Sequence, residues 1–131
     1  MSRSRRVLSG AAALVVFGAT QSAGQDIAAG EKLFGRCKAC HAVGEGAKNK
    51  VGPQLNGVVG RKAGGLEDFR YSSAMVEAGE GGLVWNEETL AAYLADPRGF
   101  VKGNRMAFAG IKKEEDLASI IAYLKTFSTG E

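Results

Sequence analysis

The chain has 131 residues, which is enough for one domain with a single core. Its composition is that of an ordinary globular protein, apart from 19 glycines. The formal net charge is +3, but three of the 17 Lys and Arg lie in the first six residues, which leaves 14 against 14 Asp and Glu. Because the remainder is neutral, the high pI gives no reason to expect binding to nucleic acid.

The first 24 residues have the three-part pattern of a secretory signal peptide. Three arginines precede an apolar run of 12 residues, and small residues follow that run. The run is short for a membrane span, which needs about 20 residues. We therefore predict cleavage near Ala23 or Gly24, so that residues 25–131 form the mature domain. An uncleaved membrane anchor is the alternative.

Four segments of the mature chain have helical patterns with start and stop signals. In chain order they are IAAGEKLFGRC after an Asp26 N-cap, YSSAMVEAG at 71–79, EETLAAYLAD between an Asn86 N-cap and Pro97, and KKEEDLASIIAYLKTF at 112–127. Long glycine-containing loops join them, chiefly 44–65 and 100–111. We therefore predict a small all-α protein.

The loops make up about half of the mature chain, and a domain of this size has a modest core. Cys37 and Cys40 are too close in sequence for a disulfide between them to join distant segments. A large apolar cofactor at the centre would give the loops a surface on which to pack.

The segment CKACH, residues 37–41, contains both cysteines and the only histidine of the chain. Cys-x-x-Cys-His is the attachment signature of c-type haem. Cysteines three residues apart lie about one helical turn apart, so that both thiols can reach the two vinyl groups of one porphyrin, and His41 follows as a ligand of the iron. A zinc site needs four ligands, a thioredoxin-like dithiol needs a βαβ unit, and a structural disulfide would leave His41 beside it by coincidence. We therefore predict one haem c, held by thioethers from Cys37 and Cys40.

An iron bound by His41 needs a second axial ligand or has an open position. The chain has no other histidine, and the mature part has two methionines, Met75 and Met106. Met75 lies in a helical pattern typical of a core residue. Met106 lies in a loop with a glycine and small flanking residues, which can come close to a flat ring. We predict Met106 as the sixth ligand.

Six motifs of the chain resemble, in their order, those of class I c-type cytochromes: AGEKLFGRCKACH, GPQLNGVVGRKAG, FRYSSAM, ETLAAYLADP, NRMAFAGIKK and DLASIIAYLKTF. The resemblance covers essentially all of the mature chain, and it is strongest to bacterial cytochrome c2 and mitochondrial-type cytochrome c. It implies a small cytochrome c fold, in which the N- and C-terminal helices cross and loops wrap around one covalently attached haem. Gly30 and Phe34 would then pack against Ile120 and Tyr123.

The resemblance also implies roles for residues of the haem pocket. The carbonyl of Pro53 would accept a hydrogen bond from the ring nitrogen of His41 that does not bind iron. The hydroxyl of Tyr93 would approach the sulfur of Met106. Three residues would donate hydrogen bonds to the haem propionates: Arg61, Tyr71 and Trp85.

The loop before Met106 departs from the family pattern. Many members have Pro-Gly-Thr-Lys where this chain has KGNR at 102–105. Asn104 can still donate a hydrogen bond in the haem pocket, but the proline is missing. A second departure is Met75, which stands where mitochondrial members have an asparagine near the inner propionate.

A six-coordinate iron has no open site for oxygen or peroxide, and a thioether ligand favours the ferrous state. We therefore predict a one-electron carrier and not an enzyme, soluble in the periplasm, monomeric and without stable membrane insertion after processing. One alternative is a ligand-binding or peroxidase-like haem protein in which Met106 is a labile ligand, and another is a haem-free dithiol or metal protein. Compatible partners are a bc1-type complex, a reaction centre, a terminal oxidase and a periplasmic dehydrogenase.

Charge is unevenly distributed along the mature chain. Residues 67–96 contain seven acids and one base, whereas residues 97–113 contain five bases and no acid. The second segment includes Met106, and Arg36 and Lys38 lie at the Cys-x-x-Cys-His motif. We predict a basic rim around the haem edge that docks on acidic surfaces of redox partners.

Overall fold

The structure is a computed structural model, and it describes residues 10–16, 18 and 26–128. The predicted cleavage site at Ala23 or Gly24 lies outside the described residues. The described residues form five helices: α1 Ile27–Phe34, α2 Ser73–Glu80, α3 Glu87–Ala95, α4 Pro97–Phe100 and α5 Glu114–Lys125. The prediction of an all-α protein is confirmed, since only an isolated bridge between Lys62 and Val84 has strand-type pairing in this part of the chain.

Three helices begin at the N-caps that their sequences predict. The carboxylate of Asp26 accepts a hydrogen bond from the backbone N–H of Ala29 at 3.1 Å. The hydroxyl of Ser72 accepts one from the backbone N–H of Met75, also at 3.1 Å. Asn86 forms a capping box with residue 89, in which each side chain accepts from the other residue's backbone N–H. Such caps satisfy N–H groups that have no partner within the helix.

The short helix α4 is not expected from the sequence pattern, which assigns Pro97 only to the end of α3. Proline has the backbone φ of a helix and lacks an N–H, so that it also favours the first position of a new helix. The Asp96 carboxylate caps this helix by accepting from the Gly99 N–H at 3.1 Å. Pro97 is fully buried, and α4 therefore forms a fixed base for the loop that follows and contains Met106.

The first and last helices cross at a glycine. Gly30 is buried in α1, directly against the backbone of Ser119 in α5. One turn later, the ring of Phe34 packs on that of Tyr123, with centroids 5.6 Å apart. The predicted crossing of the terminal helices is thus confirmed. The apolar stripe of α5 is buried along its length: Leu117, Ile120, Ile121 and Leu124.

Loops supply much of the buried core, together with α2 and α3. Met75 is 9% exposed, as a core residue should be. The loop core residues are Val58, Ala63, Trp85, Val101 and Ile111. In the described part of the chain, none of the helices is both long enough and apolar enough to span a membrane.

Candidate haem site

The segment with Cys37, Cys40 and His41 forms a tight turn at the end of α1. The backbone N–H of Cys37 donates to the Phe34 carbonyl at 2.8 Å, and the N–H groups of Cys40 and His41 both donate to the Cys37 carbonyl, at 3.1 and 2.8 Å. Neither cysteine is part of a disulfide, and both are half-buried. Burial raises the pKa of the Cys37 thiol, and the neighbouring Arg36 opposes this shift. The turn thus holds two available thiols and an imidazole on one short piece of backbone.

The imidazole of His41 is oriented by Pro53, which is 12 residues away. Its Nδ1 lies 2.7 Å from the Pro53 carbonyl oxygen, and a carbonyl can only accept, so Nδ1 carries the proton. Burial lowers the pKa of His41, and the positive charges of Arg61 and Lys50 lower it further. The hydrogen bond to the Pro53 carbonyl has the opposite effect. A neutral ring with a proton on Nδ1 has its lone pair on Nε2, which is the form that binds a metal.

Gly52 gives the His41 ring the space that it occupies. A Cβ on Gly52 would lie 2.5 Å from Cε1 of His41 and 2.9 Å from both ring nitrogens. The Gly52 N–H also donates to the Cys40 carbonyl at 2.9 Å. This bond joins the loop that contains Gly52 to the cysteine turn, next to the His41 ring. The sequence pattern does not single out Gly52, and its only signal there is its place directly before Pro53.

Arg61, Tyr71 and Trp85 lie close together, as the family resemblance implies. The Arg61 carbonyl accepts from the Trp85 N–H at 2.8 Å. Burial lowers the pKa of Arg61, and the nearby Tyr71 phenol opposes this shift. The Arg61 guanidinium donates to the carbonyls of Gln54, at 2.9 Å, and Asn56. Arg61 thus connects the loop after His41 with the segment that contains the buried Trp85.

The half-buried Met106 is approached by the phenol of Tyr93, whose hydroxyl donates to the Met106 sulfur over 3.8 Å. Burial raises the pKa of Tyr93 to about 12, so that the phenol keeps its proton at neutral pH. Tyr93 also packs on Trp85, with ring centroids 4.8 Å apart. A thioether with one lone pair engaged by a hydroxyl still has a second lone pair for a soft metal.

Arg36 and Phe108 connect the cysteine turn with the Met106 loop. The guanidinium carbon of Arg36 lies 5.0 Å from the centroid of the Phe108 ring, within the range of a cation–π interaction. Arg36 directly precedes Cys37, and Phe108 follows Met106 by two residues. The sequence gives no periodic signal for Phe108, and the contact depends on the tertiary structure alone.

These residues fit a covalently attached haem. The site has two cysteines at the attachment spacing that are not in a disulfide, a neutral imidazole with its lone pair on Nε2, and a thioether in a loop that contacts the cysteine turn. Imidazole nitrogen and thioether sulfur are common axial ligands of haem iron. The haem c predicted from CKACH therefore agrees with the chemistry of the donors.

Known proteins match this chain over most of its length. The family described as cytochrome c matches residues 27–128. The chain belongs to the cytochrome c family. It is 57% identical over 106 residues to cytochrome c2 of Afifella marina, a match that covers 81% of this chain and 86% of that protein. It is 59% identical over 99 residues to cytochrome c2 of Agrobacterium tumefaciens, covering 76% and 89%.

Solved structures of cytochromes also share the fold. The structure of cytochrome c2 from Rhodospirillum centenum aligns with a TM-score of 0.75 and 41% identity, over 79% of this chain and 98% of that one. Members of the cytochrome c family bind one covalent haem c and carry electrons. The predictions of a class I c-type cytochrome, similar to cytochrome c2, and of haem c as cofactor are thus confirmed. Membership also implies a role in electron transport rather than in catalysis.

Proposed function

We propose that the protein is a one-electron carrier of the periplasm, in which His41 and Met106 bind the haem iron and Cys37 and Cys40 hold the porphyrin. The observation that carries this proposal is the hydrogen bond from His41 Nδ1–H to the Pro53 carbonyl. With Nδ1 engaged in this way, the lone pair of Nε2 would be available to bind the iron, and His41 lies on the same turn as both cysteines.

Within this proposal, the bound haem supplies an iron that accepts and returns one electron. The protein residues keep both ligands in place in either oxidation state. Pro53 fixes the orientation of His41, and Tyr93 donates to the sulfur of Met106. Two retained ligands on half-buried residues would keep the structural change on electron transfer small, and they would leave no open position for a substrate.

The location in the periplasm rests on residues 1–24, which we propose are removed as a signal peptide. Thioether attachment to free thiols is compatible with a chain that receives its haem after export. We expect the mature protein to begin near Gln25, which N-terminal sequencing of the exported protein would show. A mature chain that retains residues 1–24 would instead indicate an uncleaved anchor.

Replacing Met106 by alanine tests the proposed ligation. The wild-type protein should contain covalent haem c in a pyridine haemochrome spectrum, and its ferric form should show the long-wavelength band that reports methionine–iron bonding. The Met106→Ala variant should keep the covalent haem and lose this band, because the thioether is absent. Its midpoint potential should fall, since thioether sulfur favours ferrous iron.

Two outcomes would contradict the proposal in different ways. A wild-type protein without covalent haem would exclude attachment at Cys37 and Cys40. A wild-type protein with covalent haem but without the methionine band would favour the ligand-binding or peroxidase-like alternative. Spectroelectrochemistry of the purified protein measures the ligation and the potential in one experiment.

We further propose that partners dock on a basic rim. We define the basic rim as the exposed cations near Met106 and the cysteine turn: Arg36, Lys38, Arg98, Lys102, Arg105, Lys112 and Lys113. The contact between Arg36 and Phe108 supports this definition, because it brings the two basic segments side by side. A bc1-type complex, a reaction centre, a terminal oxidase and a periplasmic dehydrogenase would each need an acidic surface to fit the rim.

Charge reversal at Arg105 should lower the second-order rate of electron transfer with the physiological partner by about tenfold, because steering is lost. The haem spectrum should not change. The rate of the wild-type protein should fall as salt rises, since the Debye length shortens from about 30 Å at 0.01 M to about 10 Å at 0.1 M. Stopped-flow kinetics at several ionic strengths would measure both effects.

The matched control is charge reversal at Glu88, an exposed acid of α3 outside the basic rim. Glu87 is a poorer control because it forms an ion pair with Lys125. Lys112 is a poorer test residue than Arg105, since its ammonium donates to the carbonyls of Ala95, at 2.6 Å, and Ala109, at 3.3 Å. Equal effects at Arg105 and Glu88, or a rate independent of salt, would rule out steering by the rim.

A further inference from the structure

The side chain of Asn104 makes three hydrogen bonds, all with backbone groups around Met106. Its Nδ2 donates to the carbonyl of Pro97 at 2.7 Å and to that of Val101 at 2.8 Å. Its Oδ1 accepts from the backbone N–H of Met106 at 2.8 Å. Both N–H groups of the amide and its carbonyl oxygen therefore all have backbone partners between the start of α4 and Met106.

Only one orientation of this amide satisfies all three partners. The two carbonyls can only accept and the Met106 N–H can only donate, so that exchanging Oδ1 and Nδ2 would place like groups against each other. The bond from Oδ1 to the N–H two residues later is the turn that asparagine favours. Gly103 precedes it with φ +91°, a conformation accessible to glycine.

The two carbonyls belong to the fixed end of the loop. Pro97 is the fully buried first residue of α4, and Val101, which follows α4, is 5% exposed. The amide of Asn104 therefore ties the backbone of Met106 to buried structure. A loop with proline at position 102 would be stiffened by its fixed φ, whereas this chain has Lys102 there.

We propose that Asn104 is a positioning residue for Met106, which holds the ligand backbone at a fixed distance from α4 and opposes dissociation of the sulfur from the iron. This inference rests on the proposed function, in which Met106 binds the iron. It differs from the contact with the haem that the sequence suggested for Asn104, because the amide has no N–H left to donate to a propionate.

The test is the binding of added imidazole to the ferric holoprotein, which occurs only when Met106 leaves the iron. A less firmly held methionine raises the fraction of protein that is open to imidazole, and the apparent Kd falls in proportion. Asn104→Ala should bind imidazole about tenfold more tightly than the wild type, as expected from the loss of three part-buried hydrogen bonds. Hydrogen exchange of the Met106 amide, measured by NMR, should become faster in the same variant.

Asn86→Ala is the matched control. It also removes an asparagine side chain that accepts from a backbone N–H, at 2.9 Å, but at the start of α3 rather than at Met106. Its melting temperature should fall through the loss of the cap, while its affinity for imidazole stays that of the wild type. This control separates the positioning of Met106 from a general loss of stability.

Asn104→Thr is a second variant, for the case that Asn104→Ala does not fold. A threonine hydroxyl can accept from the Met106 N–H, but with one proton it cannot donate to both carbonyls. We expect it to restore only part of the wild-type resistance to imidazole. Complete restoration would show that donation to both carbonyls does not hold Met106 in place, and it would overturn the proposal.

The remaining outcomes distinguish this inference from the function on which it rests. If the wild-type protein shows the methionine band and Asn104→Ala binds imidazole with unchanged affinity, the role of Asn104 is overturned while the ligation by Met106 stands. A wild-type protein without that band overturns the ligation by Met106, and with it the role of Asn104 as a positioning residue.

Discussion

Replacing Gly30 by alanine should lower the free energy of unfolding by at least about 2 kcal/mol, although alanine is the better helix former by about 1 kcal/mol. A Cβ at this position would lie 2.7 Å from Cβ of Tyr123 and would overlap the carbonyl of Ser119. The backbone of α5 cannot turn away as a flexible side chain can, so the two helices must separate. Denaturant unfolding of the ferric holoprotein would measure the loss.

The control for Gly30 lies on the exposed side of the same helix. Ala28 is exposed, and replacing it by glycine should cost about 1 kcal/mol through helix propensity alone. Glycine should thus be the worse residue at position 28 and the better one at position 30. An unchanged or increased stability of Gly30→Ala would show that the helix crossing does not depend on the absence of a side chain at Gly30.

Replacing Gly52 by alanine should disturb the site itself. The new methyl group would overlap the ring of His41, with 2.5 Å to Cε1, and the ring can move only by giving up its 2.7 Å bond to Pro53. We expect a loss of about 2 kcal/mol in the free energy of unfolding of the holoprotein and, under the proposed ligation, weaker binding of the iron by His41. The Nδ1 proton of His41, protected from exchange in the wild type, should exchange rapidly in the variant.

Gly81→Ala is a suitable control for Gly52→Ala. Gly81 follows α2 with φ −75°, and a Cβ there would make ordinary contacts of 3.4 and 3.5 Å with backbone oxygens. Its stability should change by less than about 0.5 kcal/mol, as is usual for surface positions. A Gly52→Ala protein with wild-type stability and a protected Nδ1 proton would mean that the loop relaxes away from the ring.

The sequence by itself determined the features that depend on neighbouring residues. Asp26, Ser72 and Asn86 could be predicted as N-caps because a cap acts on N–H groups two or three residues away. The stripe of α5 follows from the helical period, and the haem follows from the spacing within CKACH. These are short-range effects, and they could be predicted before any contact between helices was known.

Only the tertiary structure decided which partners these residues find. The space under His41 depends on Gly52, which lies 11 residues further along the chain, and Arg36 meets Phe108 across 72 residues. The sequence predicts Asn104 as a residue of the haem pocket that can donate a hydrogen bond, and the fold gives its amide three backbone partners, two of them made available by α4. Such contacts cannot be predicted from periodicity, because they arise when loops without a regular period pack on one another. The sequence thus determined which side chains the site contains, while packing decided how each of them is held in place.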